Sequence, residues 1–211
     1  MSPRTLQKQQ TRQALMDAAR NLMDSGRGFG SLSLREVTRS AGIVPTGFYR
    51  HFSDMDQLGL ALVTEVGETF RETIRRVRHN EFELGGLIDA SVRIFLSAVS
   101  ANRSQFLFLA REQFGGSLPV RQALATQREG ITADLVADLQ LIDKLQHLDT
   151  PALAVLADLV VKTVFATLPE LIDPPATELP AHLTPQAKMI QQLRFIFIGT
   201  KHWQGLGSAQ G

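Results

Sequence analysis

The sequence predicts an all-α protein: a small N-terminal module of three helices followed by a larger helical body, about nine helices in all. Apolar residues recur at three- and four-residue spacing along most of the chain, and no segment shows the two-residue alternation of a half-buried strand. Clusters of glycine or proline punctuate those periodic runs and set where each helix stops. At 211 residues the chain has room for one small module and one larger domain with its own core. The boundary is expected after the third helix, giving units of 1–53 and 54–211.

Taken in order, Leu6, Ala14, Leu15, Ala18, Ala19, Leu22 and Met23 form one face of an amphipathic helix from Thr5 to about Asp24. Gly26, Gly28 and Gly30 then stop it. This glycine run is a connector rather than a phosphate-cradling loop, because a helix and not a strand precedes it. Ser33-Leu34-Arg35-Glu36 has the form of a capping box, so a short helix starts at Leu34 and runs to Ala41. Gly42 closes that helix, Ile43-Val44 turns the chain, and Pro45 suits the first position of a third helix reaching Phe52. Ser53, with Asp56 after it, is the expected cap of a long helix over 54–79. Further helices are expected at 84–101, 103–114, 118–141, 150–169 and 184–203. The stretch from Asp173 to Pro185 carries four prolines and must be a loop.

Composition narrows the function classes. Hydrophobic residues make up 44% and charged residues 20%, with no run of about 18 uninterrupted apolar residues. The first dozen residues are polar and basic, without the apolar stretch and small-residue cleavage site of an export signal, so cytoplasmic residence is the expectation. There is no cysteine, which removes disulfides, thiol nucleophiles and thiolate metal sites. The five histidines, at 51, 79, 147, 182 and 202, form no metal-spaced pair, and neither a Gly-x-Ser-x-Gly elbow nor a nucleotide loop occurs. An enzyme, a metal site and a bound cofactor are therefore not expected. Charge is unevenly placed: residues 1–53 hold eight basic and three acidic side chains, whereas the rest is net acidic, so the chain as a whole is only +1. A basic head on an acidic body points to a polyanion partner for the head.

Two short helices joined by a glycine-containing turn on that basic side have the form of a helix-turn-helix. Phe48 and Phe52, four apart, face inward, which turns Thr46 and Arg50 to another face with Tyr49 and His51 flanking. Hydroxyl, guanidinium, phenol and imidazole groups suit phosphates and base edges. Leu34-Arg35-Glu36-Val37, Ala41-Gly42-Ile43 and Phe48-Tyr49-Arg50-His51-Phe52 together resemble the DNA-binding domain of TetR-family repressors. The resemblance implies that Tyr49 grips a phosphate, that Arg35 reaches a base, and that Val44, Pro45 and Thr46 lead the recognition helix. The candidate DNA-binding set is Lys8, Ser33, Arg35, Val44, Pro45, Thr46, Gly47, Tyr49, Arg50 and His51, with Arg4 and Arg12 as additional anchors near the first helix. Many relatives carry a lysine three residues after the phenylalanine, where this chain has Met55. Backbone amides at that helix start remain available to a phosphate, although Asp54 and Asp56 oppose an anion or simply cap.

Nine of the twelve phenylalanines lie beyond the head. In the family this body pairs two subunits through its last two helices and holds an effector among the middle ones. The resemblance thus implies a homodimer on a palindromic double-stranded operator, and the apolar helices over 150–169 and 184–203 fit that role. Leu156, Val160, Val164, Leu193 and Phe197 are the expected pairing residues, and Phe70, Ile74, Phe95, Val99, Phe106, Leu109, Arg111, Phe114, Leu135 and Phe165 the expected effector lining.

A narrower likeness is to the FabR/DesT-like subgroup, regulators of unsaturated fatty acid synthesis. It is carried by Ser31-Leu32-Ser33-Leu34-Arg35-Glu36-Val37, the run from Phe48 to Gly59 including Asp56-Gln57-Leu58-Gly59, Leu109-Ala110-Arg111-Glu112, and Gln192-Leu193-Arg194 with Trp203. That subgroup also lacks the usual lysine at the position of Met55. It implies long-chain acyl-CoA as effector, with Arg103, Arg111, Arg121 and Arg128 available to the phosphates of its head, or with Glu112 neutralising Arg111 instead. The alternative is a drug-like or aromatic effector, since an apolar aromatic cavity suits many amphipathic molecules. A helical adaptor that binds another protein would leave Arg35, Thr46, Tyr49 and Arg50 without a purpose.

Overall fold

The computed structural model describes residues 2–78, 84–174 and 180–204, and every regular element among them is helical. The first helix, α1 (Pro3–Asp24), starts at Ser2, whose side chain accepts from the Thr5 amide while Pro3 occupies the first turn. Leu15, Met16, Ala18, Ala19 and Met23 form its buried face. Arg20 is buried with them, and Asp17 and Glu65 both receive its guanidinium, so this charge is not left unpaired. A single turn of 3-10 helix at Phe29–Ser31 follows, and then α2 (Leu34–Ser40) and α3 (Pro45–Phe48).

The capping box at α2 is fully formed. Ser33 Oγ accepts from the Glu36 amide, and a Glu36 oxygen accepts from both the Ser33 amide at 2.9 Å and its hydroxyl at 2.7 Å. The long helix α4 (Met55–Arg78) starts differently from expectation. Asp54 caps it, accepting from the Gln57 amide at 2.8 Å, while Ser53 donates its hydroxyl to Asp54. The carboxylate reaches the third amide of the helix, and the preceding serine only steadies it.

Beyond α4 come α5 (Leu84–Ala101), α6 (Arg103–Glu112), α7 (Leu118–Leu139), α8 (Thr150–Ile172) and α9 (Pro185–Thr200). Helix α6 ends two residues before the predicted stop because Phe114 and Gly115 bond three residues back and tighten the chain into a turn. Helix α8 continues three residues past the predicted stop, through Pro169. Leu168 and Ile172 stay buried on one face there, so packing outweighs the backbone bond that proline cannot make. Length and composition alone would let α8 cross a bilayer, but Ala152, Leu153, Leu156, Ala157, Val161 and Phe165 are buried inside the fold. The proline-rich connection holds one 3-10 turn at Ala181–Leu183, and residues 175–179 lie outside the described residues.

Two compact units emerge from the packing, and they divide the chain otherwise than at residue 53. The first comprises residues 1–70 and 102–126, the second 71–101 and 127–211. The start of α4 belongs with the head because Leu58, Leu62 and Val66 are buried there and Gly59 lies against Phe29 and Val120. Helix α6 and the first part of α7 are folded into the same unit. In the second unit Leu139, Leu145, Leu148, Leu153, Leu156 and Ala157 make a continuous cluster, with Val160, Ile196 and Phe197 packed against it.

Candidate DNA interface and effector residues

The head presents a polar ridge on an aromatic base. Phe48 is fully buried, meets Tyr49 edge-on at 5.8 Å and Phe52 at 5.6 Å, and so fixes the end of α3 to the core. The guanidinium of Arg12, from α1, lies 5.0 Å above the Phe52 ring. Between α2 and α3 the chain turns at Gly42, with φ at +67°, a left-handed conformation that favours glycine. Gly47 is needed for space: a Cβ there would sit 2.8 Å from Ile43 Cγ2.

On this base Lys8, Ser33, Arg35, Val44, Pro45, Thr46, Tyr49 and Arg50 are all exposed, while Gly47 and His51 are half-buried. Tyr49 holds its ring edge against Phe48 and still exposes 62% of its surface. The predicted third helix is shorter than expected: regular α-helix ends at Phe48, and Tyr49 to His51 form a tighter turn in which Arg50 and His51 donate three residues back. His51 Nδ1 is buried without a hydrogen-bond partner. Burial, then the charges of Lys8, Arg12 and Arg50, push its pKa below the ordinary imidazole value, so the ring is neutral at pH 7. Asp54 and Asp56 do not face an approaching phosphate freely. Asp54 caps α4, and Asp56 accepts the Ser117 hydroxyl at 2.7 Å.

The ten residues expected to line an effector site are split evenly between the two units. Phe70, Phe106 and Leu109 are buried in the first, where the two rings lie 6.3 Å apart. Phe95, Val99 and Phe165 are buried in the second, with Ile74 and Leu135 half-buried. One of the ten, Phe114, is corrected. Phe114 is 85% exposed, because α6 has already ended and the Gly115-Gly116 turn carries its ring outward. Arg111 donates to the Met23 carbonyl at 2.6 Å and so neutralises the C-terminal end of α1. Two of the other arginines expected at a phosphate are likewise engaged, Arg103 with Asp24 at 3.5 Å and Arg121 with the Gly115 carbonyl.

Glu112 accepts from the Phe29 amide at 2.7 Å from a wholly buried position, and the Arg111 charge also acts on it. No sequence spacing connects residues 83 apart.

The expected pairing residues are also partly displaced. Leu156 and Leu193 are buried within the subunit and have no surface to offer, while Val160, Val164 and Phe197 are half-buried. The apolar groups that α8 and α9 turn outward are Val155, Leu159, Phe195 and Ile198. Apolar character on nearly every side of these helices hid which stripe faces the core. A recess open to solvent lies between α8 and α9, lined by Thr163, Gln191, Gln192, Phe195 and Ile196.

Comparison with known proteins agrees with this architecture. Residues 15–62 match the model described as bacterial regulatory proteins, tetR family, and residues 84–199, more than half of the chain, match the tetracyclin repressor-like C-terminal domain. A TetR-like transcriptional regulator from Rhodococcus sp. RHA1 superposes with a TM-score of 0.66 at 18% identity, over 90% of this chain and 96% of that one. The fatty acid degradation regulator FadR of Bacillus halodurans gives 0.70 at 12% identity, over 94% and 97%. FadR of Bacillus subtilis, solved in complex with stearoyl-CoA, gives 0.65 at 12% identity, over 87% and 96%. At these identities the likeness is one of fold. With both family domains matched in order on an all-helical chain, and a helix-turn-helix exposed where the first requires one, the protein is a member of the TetR family of transcriptional regulators.

Proposed function

We propose that this regulator represses transcription as a homodimer on a palindromic operator and responds to long-chain acyl-CoA, controlling genes of unsaturated fatty acid synthesis. One observation carries the DNA-reading part: Arg35, Thr46, Tyr49 and Arg50 are exposed together above the buried Phe48 and Phe52. Such a ridge has donors for phosphates in Tyr49 and Arg50 and a guanidinium for a guanine edge in Arg35. Pairing is supported by the outward stripe of Val155, Leu159, Phe195 and Ile198, which a second copy would cover, and two heads on one duplex face make half-site recognition productive. The acyl-CoA reading is supported by the FabR/DesT-like motifs and by the apolar body around Phe95, Val99 and Phe165. Burying an acyl chain yields about 0.8 kcal/mol per CH₂. A regulator of this kind works in the cytoplasm, where the chromosome is.

The test is retention of chromosomal fragments by the purified protein across a salt series, with Arg35→Ala and Tyr49→Phe as controls. Selected fragments are then titrated with saturated and unsaturated acyl-CoA. Sequence-selective, salt-sensitive retention that Arg35→Ala abolishes supports DNA reading, and unequal responses to the two acyl chains support the effector assignment. Equal or absent responses would remove acyl-CoA and leave a different hydrophobic effector. No selective retention removes the operator itself.

A further inference from the structure

The C-terminal family domain begins at residue 84, yet α6 and the start of α7 fold into one unit with the head. Polar ties run from α6 to the end of α1 and to the turn after it. Arg103 reaches Asp24, Arg111 reaches the Met23 carbonyl, and Glu112 takes the amide of Phe29. The third is chemically the odd one. Burying a carboxyl group costs free energy unless hydrogen bonds or an opposite charge compensate it, and here, at 1% exposure, one of its oxygens, Oε2, has no hydrogen-bond partner.

Its surroundings are shaped to admit it. A Cβ on Gly28 would lie 3.3 Å from Oε1, and a Cβ on Gly115 would collide outright with Oε2, so glycine on both sides leaves the space the carboxyl group fills. The residue it grips is a packing centre. Phe29 is buried, stands edge-on to Phe108 of α6 at 5.9 Å, and touches the position of Gly59 in α4. Four residues after Phe29 comes Ser33, the cap of α2.

We propose that Glu112 is a positioning residue for DNA reading: from α6 it clamps the Phe29 amide, and so sets where the helix-turn-helix begins. The clamp rests on the DNA-reading conclusion above. Its chemistry is a short bond from a backbone N–H to an acceptor on another helix, at the turn through which the chain enters α2. Without the acceptor the Phe29 ring keeps its apolar contacts, but the 28–31 turn loses its polar anchor and α2 its fixed entry.

The test compares full-length wild type, Glu112→Gln and Glu112→Met, all at a temperature where circular dichroism shows each folded. Glutamine keeps an acceptor for the Phe29 amide. Methionine has similar volume, removes the buried carboxylate and offers no comparable acceptor, so it separates positioning from stability. Backbone exchange over residues 28–31 should be about tenfold or more faster in Glu112→Met and near wild type in Glu112→Gln. Affinity for a duplex enriched by wild type from a random-core pool should fall about tenfold in Glu112→Met and be rescued in Glu112→Gln. A structural role alone would move the melting temperature and leave the affinity of the folded protein unchanged. If Glu112→Met binds the enriched duplex like wild type, or exchanges no faster, the clamp is overturned while DNA reading stands. If wild type enriches no sequence, DNA reading itself falls and takes the clamp with it.

Discussion

Gly59 lies inside α4, where glycine is a poor helix former, so its presence calls for a packing reason. A Cβ at this position would sit 2.5 Å from Val120 Cγ2 and 2.8 Å from Phe29 Cε1. Both neighbours are almost fully buried, at 0% and 2% exposure, so neither can swing away. Two effects oppose each other in Gly59→Ala. The helix gains about 1 kcal/mol from propensity, and the crowded core loses about 1–3 kcal/mol from overpacking. The net expectation is a loss of up to about 2 kcal/mol, or several degrees in Tm for a chain of this size. Gly130, inside α7, provides the control, since a Cβ there meets nothing within 4 Å. Gly130→Ala should carry the propensity gain alone and raise stability by up to about 1 kcal/mol. Calorimetry or denaturant unfolding of both variants isolates the packing cost as their difference. If Gly59→Ala were as stabilising as Gly130→Ala, the close approach of Phe29 and Val120 to α4 would be wrong.

Three other perturbations follow from particular contacts. Ser33→Ala removes the cap that accepts from the Glu36 amide and should cost about 1 kcal/mol in chemical denaturation, with most of the loss in α2. Glu112 has its pKa raised by burial, against the opposing pull of the Phe29 amide and Arg111, so its contribution to stability is fully present below the ordinary carboxylate range and is lost as pH rises through the folded value. Glu112→Gln should therefore gain on wild type as pH rises, in paired melts across that range; a constant difference would contradict a buried ionisable carboxyl. Leu159→Asp and Phe195→Asp place charge on the outward stripe of α8 and α9 and should convert a dimer to monomers in analytical ultracentrifugation, with helicity retained. Dimers that survive both changes would place the pairing surface elsewhere.

Local chemistry makes much of the architecture legible in the sequence. Apolar periodicity located the helices, the Ser33–Glu36 box and Pro45 marked starts, Gly42 marked a stop, and the spacing of Phe48 and Phe52 separated the inward face from the ridge. Each of these signals is held within a few consecutive residues, where backbone sterics and capping act. Most of the proposed DNA-reading residues lie close together in sequence, on α2, α3 and the turns at their ends, where such local signals act, and Lys8 stands apart on α1.

What the sequence by itself determined, then, is helix content, order and the exposed composition of the head. The tertiary structure decided the rest. It shows that α6 folds with the head, that Glu112 takes the Phe29 amide, that Phe114 points outward, and that Leu156 and Leu193 are core while Leu159 and Phe195 are surface. Those outcomes depend on which faces of distant helices meet. Periodicity shows that a helix has an apolar face, but where apolar residues cover nearly its whole circumference, only packing against particular neighbours selects the face that is buried.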